Sequence, residues 1–356
     1  MPRLAVAFEF PTLSGGERSM LAVLSQPPAD GWDVVAIAPP AGALADELRR
    51  LGIPVVPLDL RAGGSKPPPE WAAELLADAA GASGCDLLHG NSLSMSRVAG
   101  RWAALTGRPA TGHVRDMMRL SRAAVADVNR LAAVLFVSAA TRTYHLRQGV
   151  REDTSRVVHN GVDPPPPAGG LPPGLATLQA SGGPAVIATV GQICLRKGHD
   201  VAADALARLP DVDWRWLVVG ERFSRKDESI ALDRSLEERL GPLAGRMLRL
   251  GYQADVWPIL RRADLLLHPA RQEPFGRVLL EASSVGTPVV ACDVGGTREM
   301  LGDDATLVPP DDASALAVAI RRVLASPRPG PLRRFPVAGC VARTWSIWSE
   351  IAGTPC

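Results

Sequence analysis

The sequence predicts an α/β protein built from two Rossmann-like domains, and three observations carry that expectation. The chain has 356 residues, long for one hydrophobic core and comfortable for two, since a domain usually holds about 100 to 200 residues. Short apolar runs alternate with stretches of helical spacing in both halves, the pattern of a parallel sheet layered with helices. Between the halves lies VDPPPPAGGLPPG, residues 162–174, whose prolines remove backbone donors and oppose both continuous helix and central strand.

Taken in order, the strand-length runs of the first half are Leu4–Phe8, Val34–Ala38, Val55–Leu58, Asp86–Leu88 and Val134–Val137. Those of the second are Val186–Val190, Trp214–Val219, Met247–Leu250, Leu265–Leu267, Val289–Ala291 and Thr306–Val308. RAGGSKPPP, residues 61–69, reads as a loop. The expected organisation is an N-terminal domain over 1–163, a Pro/Gly-rich linker over 164–183 and a C-terminal domain over 184–335. A helical tail over 336–356 is expected to pack back toward the N-terminal domain. In that tail Trp345 and Trp348 stand three apart, on one helix face. Core packing is the plain use of such a pair, and a membrane or partner surface is the other.

Composition narrows the function. With 46% hydrophobic and 21% charged residues, the chain has enough apolar material for sizeable cores, which excludes disorder as its main state. Lys plus Arg number 39 against 37 Asp plus Glu, and a net charge of +2 supplies no strong field for nucleic acid or anionic membrane. Neither a zinc module nor a coherent basic and aromatic platform is visible, so nucleic acid is not an expected partner. Cys85, Cys194, Cys292, Cys340 and Cys356 contain no close pair, which argues against a disulfide framework or a cysteine zinc site and fits a reducing cytoplasm. No apolar stretch approaches the roughly 20 residues of a membrane-crossing helix. The expectation is a cytoplasmic protein without a transmembrane segment, with peripheral membrane contact left open.

Three segments can carry chemistry. In EFPTLSGGERSML, Gly15 and Gly16 follow the first strand and open a helix, where bare backbone and exposed amides suit a phosphate or polar substrate, or simply a tight turn. GQICLRKGH, residues 191–199, follows the first strand of the second half; Gly191 bounds a turn on which Arg196 and Lys197 offer adjacent cationic heads to a diphosphate. In ARQEPFGRVLLEASSVGTPVVACDVGGTREM, residues 270–300, Glu273 and Glu281 frame seven residues, EPFG opening an apolar helix. Glu273 can reach a sugar hydroxyl from the loop and Glu281 a ribose hydroxyl from the helix. The amides around Phe275, Gly276, Arg277 and Val278 can meet phosphate or leaving-group oxygens.

EPFGRVLLE matches the glutamate, seven residues, glutamate motif of retaining glycosyltransferase family four, and RKG, VVHNGVD at 157–163 and the early GG add ordered support across nearly the whole chain. The chain therefore resembles that family, whose GT-B fold has two facing Rossmann-like domains and an interdomain active-site cleft. The resemblance implies a C-terminal domain that binds a nucleotide diphosphate sugar, UDP- or GDP-linked, and an N-terminal domain that supplies most acceptor contacts. It further implies that Arg196 and Lys197 stabilise the departing diphosphate, Glu281 binds ribose and Glu273 engages donor-sugar hydroxyls. Many relatives carry Gly-Arg where this chain has Gly191-Gln192, and Arg196 is then the replacement charge. His113, in TGHVRDMM, follows an expected short strand and corresponds to the family's cleft histidine near the transferred sugar, with a packed histidine as the alternative. Asp116, Asn91 and Ser92 are expected on the acceptor side, or as plain loop polarity. His159 is expected to be structural, with Asn160 and Gly161 shaping the connection between domains.

The implied reaction moves a hexosyl group to an acceptor hydroxyl with retention, needs no metal or other cofactor, and closes a dry cleft around the reacting atoms. GDP-mannose, UDP-glucose and UDP-N-acetylglucosamine all remain open as donors, and a small molecule, a lipid or a glycan as acceptor. A nucleotide-sugar 2-epimerase and a catalytically silent sugar-nucleotide binder are the competing accounts. A NAD-dependent oxidoreductase fits poorly, because the first βα turn lacks GxGxxG.

Overall fold

A computed structural model describes residues 1–28, 31–62, 64, 67–165, 175, 183–302, 305–332 and 335–353. The chain divides into two units, Met1–Gly161 with Phe335–Cys356, and Val162–Arg334.

The first unit holds β1 (Arg3–Ala7), β2 (Asp33–Ala38), β3 (Val55–Pro57), β4 (Leu87–Gly90), β5 (Ala110–Val114), β6 (Ala133–Phe136) and β7 (Ser155–Val157). Among the described residues they form a parallel sheet in the order β3-β2-β1-β4-β5-β6-β7. Its strands are apolar on both sides because helices cover both faces. Leu4 and Val6 enter one core, with Met20, Trp345 and Trp348, while Ala5 and Ala7 enter the other, with Leu76 and Trp102. This is the two-residue alternation of a strand.

The second unit holds β8 (Ala185–Val190), β9 (Trp214–Val219), β10 (Met247–Gly251), β11 (Leu265–His268), β12 (Val289–Cys292) and β13 (Thr306–Val308). Among the described residues these form a second parallel sheet in the order β10-β9-β8-β11-β12-β13. Both sheets are doubly wound: the order reverses between β1 and β4 in one and between β8 and β11 in the other. In such sheets ligands bind beyond the carboxyl ends of the strands at that reversal.

The expected strands occur with ends shifted by at most two residues, the short strand expected ahead of His113 extends over Ala110–Val114 and takes in that histidine, and β7 was not anticipated. ATGHV of β5 and SRV of β7 are too polar or too short to read as apolar runs. His113 accordingly lies inside β5 rather than after it. The expected linker over 164–183 falls largely outside the described residues; at its centre Leu175 is buried in the second unit against Val186 and Leu217. The chain leaves the first unit at Gly161 and returns to it at Phe335.

The returning segment forms the helix Val337–Ala352, which belongs to the first unit. Trp345 and Trp348 are buried, their rings edge to face at 4.9 Å, and Trp345 Nε1 donates to the carbonyl of Gln26 at 3.1 Å. A Cβ at Gly161 would stand 2.5 Å from the Val337 Cα, so only glycine lets the outgoing and returning strands of chain pass this closely. His159 packs its ring 4.8 Å from that of Phe335 at the same crossing.

Candidate active site

In the second unit the cationic turn and the glutamate loop meet at the carboxyl ends of β8 and β11. Leu195–Lys197 form one turn of 3-10 helix after β8, and Gly198 then opens the helix His199–Leu206. Gly198 has φ +69, and a Cβ there would lie 1.9 Å from the Pro269 carbonyl oxygen, so the turn can sit against the 269–273 loop only with glycine at this position. Two further links join turn and loop. The Arg271 amide donates to the Arg196 carbonyl at 2.9 Å, and the Arg271 guanidinium grips both carboxylate oxygens of Asp200 at 2.9 and 2.8 Å. Its Nη1 also donates to the Leu195 carbonyl, at 2.6 Å.

That frame brings Lys197 Nζ to 2.6 Å from Glu273 Oε2. His268, the last residue of β11, places Nε2 2.8 Å from the same oxygen. Arg196 Nη1 donates to the Gln272 carbonyl at 3.4 Å. Glu273 is buried, and burial alone would raise its carboxyl; the Lys197 ammonium and the His268 ring hold it well below the ordinary carboxylate range. Burial pushes His268 down, against the opposing pull of Glu273. A carboxylate accepts only, so the neutral His268 ring carries its proton on Nε2. Burial and then Lys197 take His199 down to about 4.

Glu281 lies on the helix Arg277–Ser284, where its Oε1 accepts from Arg277 Nε at 2.8 Å. Gly276 caps that helix with φ +88, so Phe275, Gly276, Arg277 and Val278 form the bend between the Glu273 loop and the helix. Gly191 follows β8 directly, and a Cβ on it would contact the Lys197 stem at 3.5 Å. Among the described residues no group of three His, Cys, Asp or Glu side chains is arranged to hold a metal ion.

The first unit gathers a second cluster at the carboxyl ends of β1, β4 and β5. Gly15 and Gly16 open the helix Gly15–Leu24, whose Glu17 accepts from the Ser14 amide at 3.1 Å in a capping box. Asn91 follows β4 and its Nδ2 donates to the Gly16 carbonyl at 3.4 Å. His113 is buried in β5, and burial followed by the charge of Arg115 drives its pKa well below the usual value. Ser92 accepts from the Met95 amide at 3.1 Å and so caps the helix Leu93–Thr106. Asp116 is exposed, and its backbone carbonyl bonds His145 Nε2 at 2.8 Å.

Sequence reading missed Arg115, His268, Asp200 and Arg271. Arg115 lies one residue beyond the end of β5, and its contact with the His113 ring is visible only in three dimensions. His268 is the polar end of an apolar run, which marks a strand terminus facing a site. Arg271 and Asp200 are ordinary surface types in sequence, and their pairing is visible only in three dimensions.

Residues 13–165 match "Glycosyltransferase Family 4" and residues 184–326 match "Glycosyl transferases group 1". The crystal structure of Anabaena HepE in complex with UDP and glucose superimposes with a TM-score of 0.79 at 23% identity, covering 98% of this chain and 100% of that one. The chain thus has the GT-B fold of glycosyltransferases and is related to both matched families. Among curated relatives, 2-deoxystreptamine glucosyltransferase of Streptomyces kanamyceticus is 34% identical over 158 residues, 43% of this chain and 39% of that protein. Phosphatidyl-myo-inositol mannosyltransferase of Mycolicibacterium smegmatis is 41% identical over 138 residues, 36% of this chain and 33% of that protein. The matched segments span two fifths or less of the length of these two relatives.

Proposed function

We propose that the protein is a retaining glycosyltransferase of family four that moves a hexosyl group from a UDP- or GDP-linked sugar to an acceptor hydroxyl and releases the nucleoside diphosphate. The observation that carries the reading is the contact of Lys197 with the buried Glu273 carboxylate, beside Arg196, at the strand reversal of the second unit. The glucosyl and mannosyl transfer named for the curated relatives, and the UDP and glucose bound to HepE, support the same chemistry.

In this mechanism the bond between the sugar's anomeric carbon and the diphosphate oxygen breaks, and the acceptor oxygen bonds that carbon on the same face. The acceptor proton passes to an oxygen of the leaving phosphate, so no separate general base is needed. Arg196, Lys197 and the amides of Phe275, Gly276, Arg277 and Val278 receive the charge that develops on the diphosphate. These groups supply the positive field, and the reaction proceeds without a metal. Glu273, ionised at neutral pH, accepts hydrogen bonds from donor-sugar hydroxyls, and Glu281 accepts from the ribose. Gly191 allows the donor to approach the backbone. Gly15, Gly16 and His113 serve the sugar from the first unit, with Asn91, Ser92 and Asp116 on the acceptor side.

The test is mass-spectrometric detection of binding and turnover across UDP-, GDP- and dTDP-linked sugars, with and without pooled hydroxyl acceptors. Release of a nucleoside diphosphate together with a new product one hexosyl unit heavier is the expected result. Conversion of the sugar without an acceptor would mean epimerisation instead. Binding without turnover would mean a silent binder or an acceptor absent from the pool, and no binding of any nucleotide sugar would overturn the reading.

A further inference from the structure

One side chain of the first unit touches most of the groups at its carboxyl edge. Arg115 Nη1 donates to Asn160 Oδ1 at 2.8 Å, and Nη2 donates to Asn91 Oδ1 at 3.1 Å while lying 3.0 Å from His113 Nδ1. Its stem runs along the helix start, where a Cβ on Gly16 would meet Arg115 Cδ at 3.1 Å. A guanidinium has donors and no acceptor, so Nδ1 of His113 must accept, and the one proton of the neutral ring sits on Nε2.

Nε2 of His113 is buried without a hydrogen-bond partner among the described residues. The neighbouring His89 ring, edge to face at 5.9 Å, does not satisfy it. His89 Nδ1 lies 2.9 Å from Thr111 Oγ1 and 3.4 Å from Trp348 Nε1. The same indole N–H also donates to Thr111 Oγ1, at 3.2 Å. Nε2 of His89 is likewise buried without a hydrogen-bond partner among the described residues, so neither ring satisfies the other. A buried donor left in this condition is costly unless a ligand supplies its acceptor.

We propose that Arg115 is a positioning residue, which holds His113 as the Nε2–H tautomer and so keeps that N–H available to a hydroxyl of the sugar substrate. Asn91 and Asn160 fix the guanidinium in the orientation that does this. The role of the N–H rests on the glycosyl-transfer reading, whereas the tautomer does not.

Long-range proton–nitrogen NMR spectra of the full chain with nitrogen-15 histidine test both parts. Only six histidines are present, and His113→Gln identifies the signals of His113 by their loss. Wild type is expected to show His113 protonated at Nε2 and bare at Nδ1. Arg115→Met, which removes the donors and keeps much of the stem, is expected to move His113 toward the Nδ1–H form or a mixture. In turnover the same variant is expected to lose about tenfold or more in kcat with a smaller change in donor KM, because a misaligned group costs most at the transition state. Arg115→Lys, which retains a donor, is expected to recover part of both the spectrum and the rate.

A wild-type His113 protonated at Nδ1, or an unchanged Nε2–H spectrum and rate in Arg115→Met, would overturn the proposal. Should Arg115→Met fail to fold, the wild-type spectrum and Arg115→Lys still decide it. A wild-type protein with the expected spectrum that binds no nucleotide sugar would support the tautomer lock while sinking the transfer reading.

Discussion

Lys197 and His268 converge on a single oxygen of Glu273, at 2.6 and 2.8 Å. The carboxylate thus enters the site ionised, buried and already oriented before any ligand arrives. Removing the ammonium alone leaves that charge facing only a neutral ring. Lys197→Met is expected to destabilise the second unit by about 3 kcal/mol, and the double variant with Glu273→Gln by less than the sum of the two single changes. Urea unfolding of the four proteins measures the coupling, and strict additivity would refute it.

Acid should weaken the protein before its ordinary carboxylates titrate. Burial, with nearby positive charge, brings His89 down to about 3 and His199 to about 4, and pushes His113 and His268 down as well. The folded state keeps these rings neutral, whereas the unfolded chain protonates them below about 6.5. Their contribution to stability is complete above that pH and is lost as pH falls toward the folded values. Glu273, held below its ordinary range, acts in the same direction at lower pH. Thermal melts from pH 8 to 4 should show a midpoint that is flat at first and then falls steadily from near pH 6.5. A midpoint that rises on acidification would contradict the assignment.

The bidentate pair of Arg271 and Asp200 sets the spacing between the cationic turn and the glutamate loop. Asp200→Asn removes one charged acceptor from a partly buried fork and is expected to cost about 1 to 3 kcal/mol. Calorimetric titration with UDP and with GDP should show weaker binding of whichever nucleotide the wild type prefers. Unchanged affinity in a stably folded variant would assign the pair to stability alone.

Gly198→Ala is a sharper probe of the same junction. The added methyl meets the Pro269 carbonyl and forces a left-handed residue, an expected loss of at least about 1 to 3 kcal/mol. Because the clash lies beside Arg271 and Lys197, donor binding should fall with stability. A variant as stable as wild type would show that the turn and the loop are not in contact.

Metal dependence has a plain expectation. If Arg196 and Lys197 carry the leaving-group charge, turnover with excess EDTA should equal turnover with added magnesium, whereas Lys197→Met should abolish most of it. Activity restored only by a divalent ion would move the charge stabilisation away from these side chains.

Much of the architecture was legible because parallel strands covered on both faces read as unbroken apolar runs, as in VVAC of β12. The extent of β5 was not legible, because ATGHV has the small and polar residues that an apolar-run search passes over, and the strand runs on through His113. Arg196, Lys197 and Glu273 were readable from spacing and family resemblance, since each sits beside a glycine turn at a strand end. Their supporting partners were not. Asp200, Arg271 and His268 gain meaning only from which loops the sheet order brings together, and Asn91 and Asn160 only from the guanidinium between them. Ser92, expected among acceptor groups, already spends its hydroxyl on a helix start, a duty equally readable from its place before Leu93.

The passage of the chain out at Gly161 and back at Phe335 fixes an order of assembly during synthesis. The helix carrying Trp345 and Trp348 is a structural wall of the first unit, yet the ribosome makes it after the whole of the second unit. The middle of the chain can finish folding while the N-terminal sheet still exposes the apolar face that these two indoles will cover. A nascent chain stalled before residue 335 would therefore hold a completed insert within an unfinished host, and would be the form most in need of a chaperone.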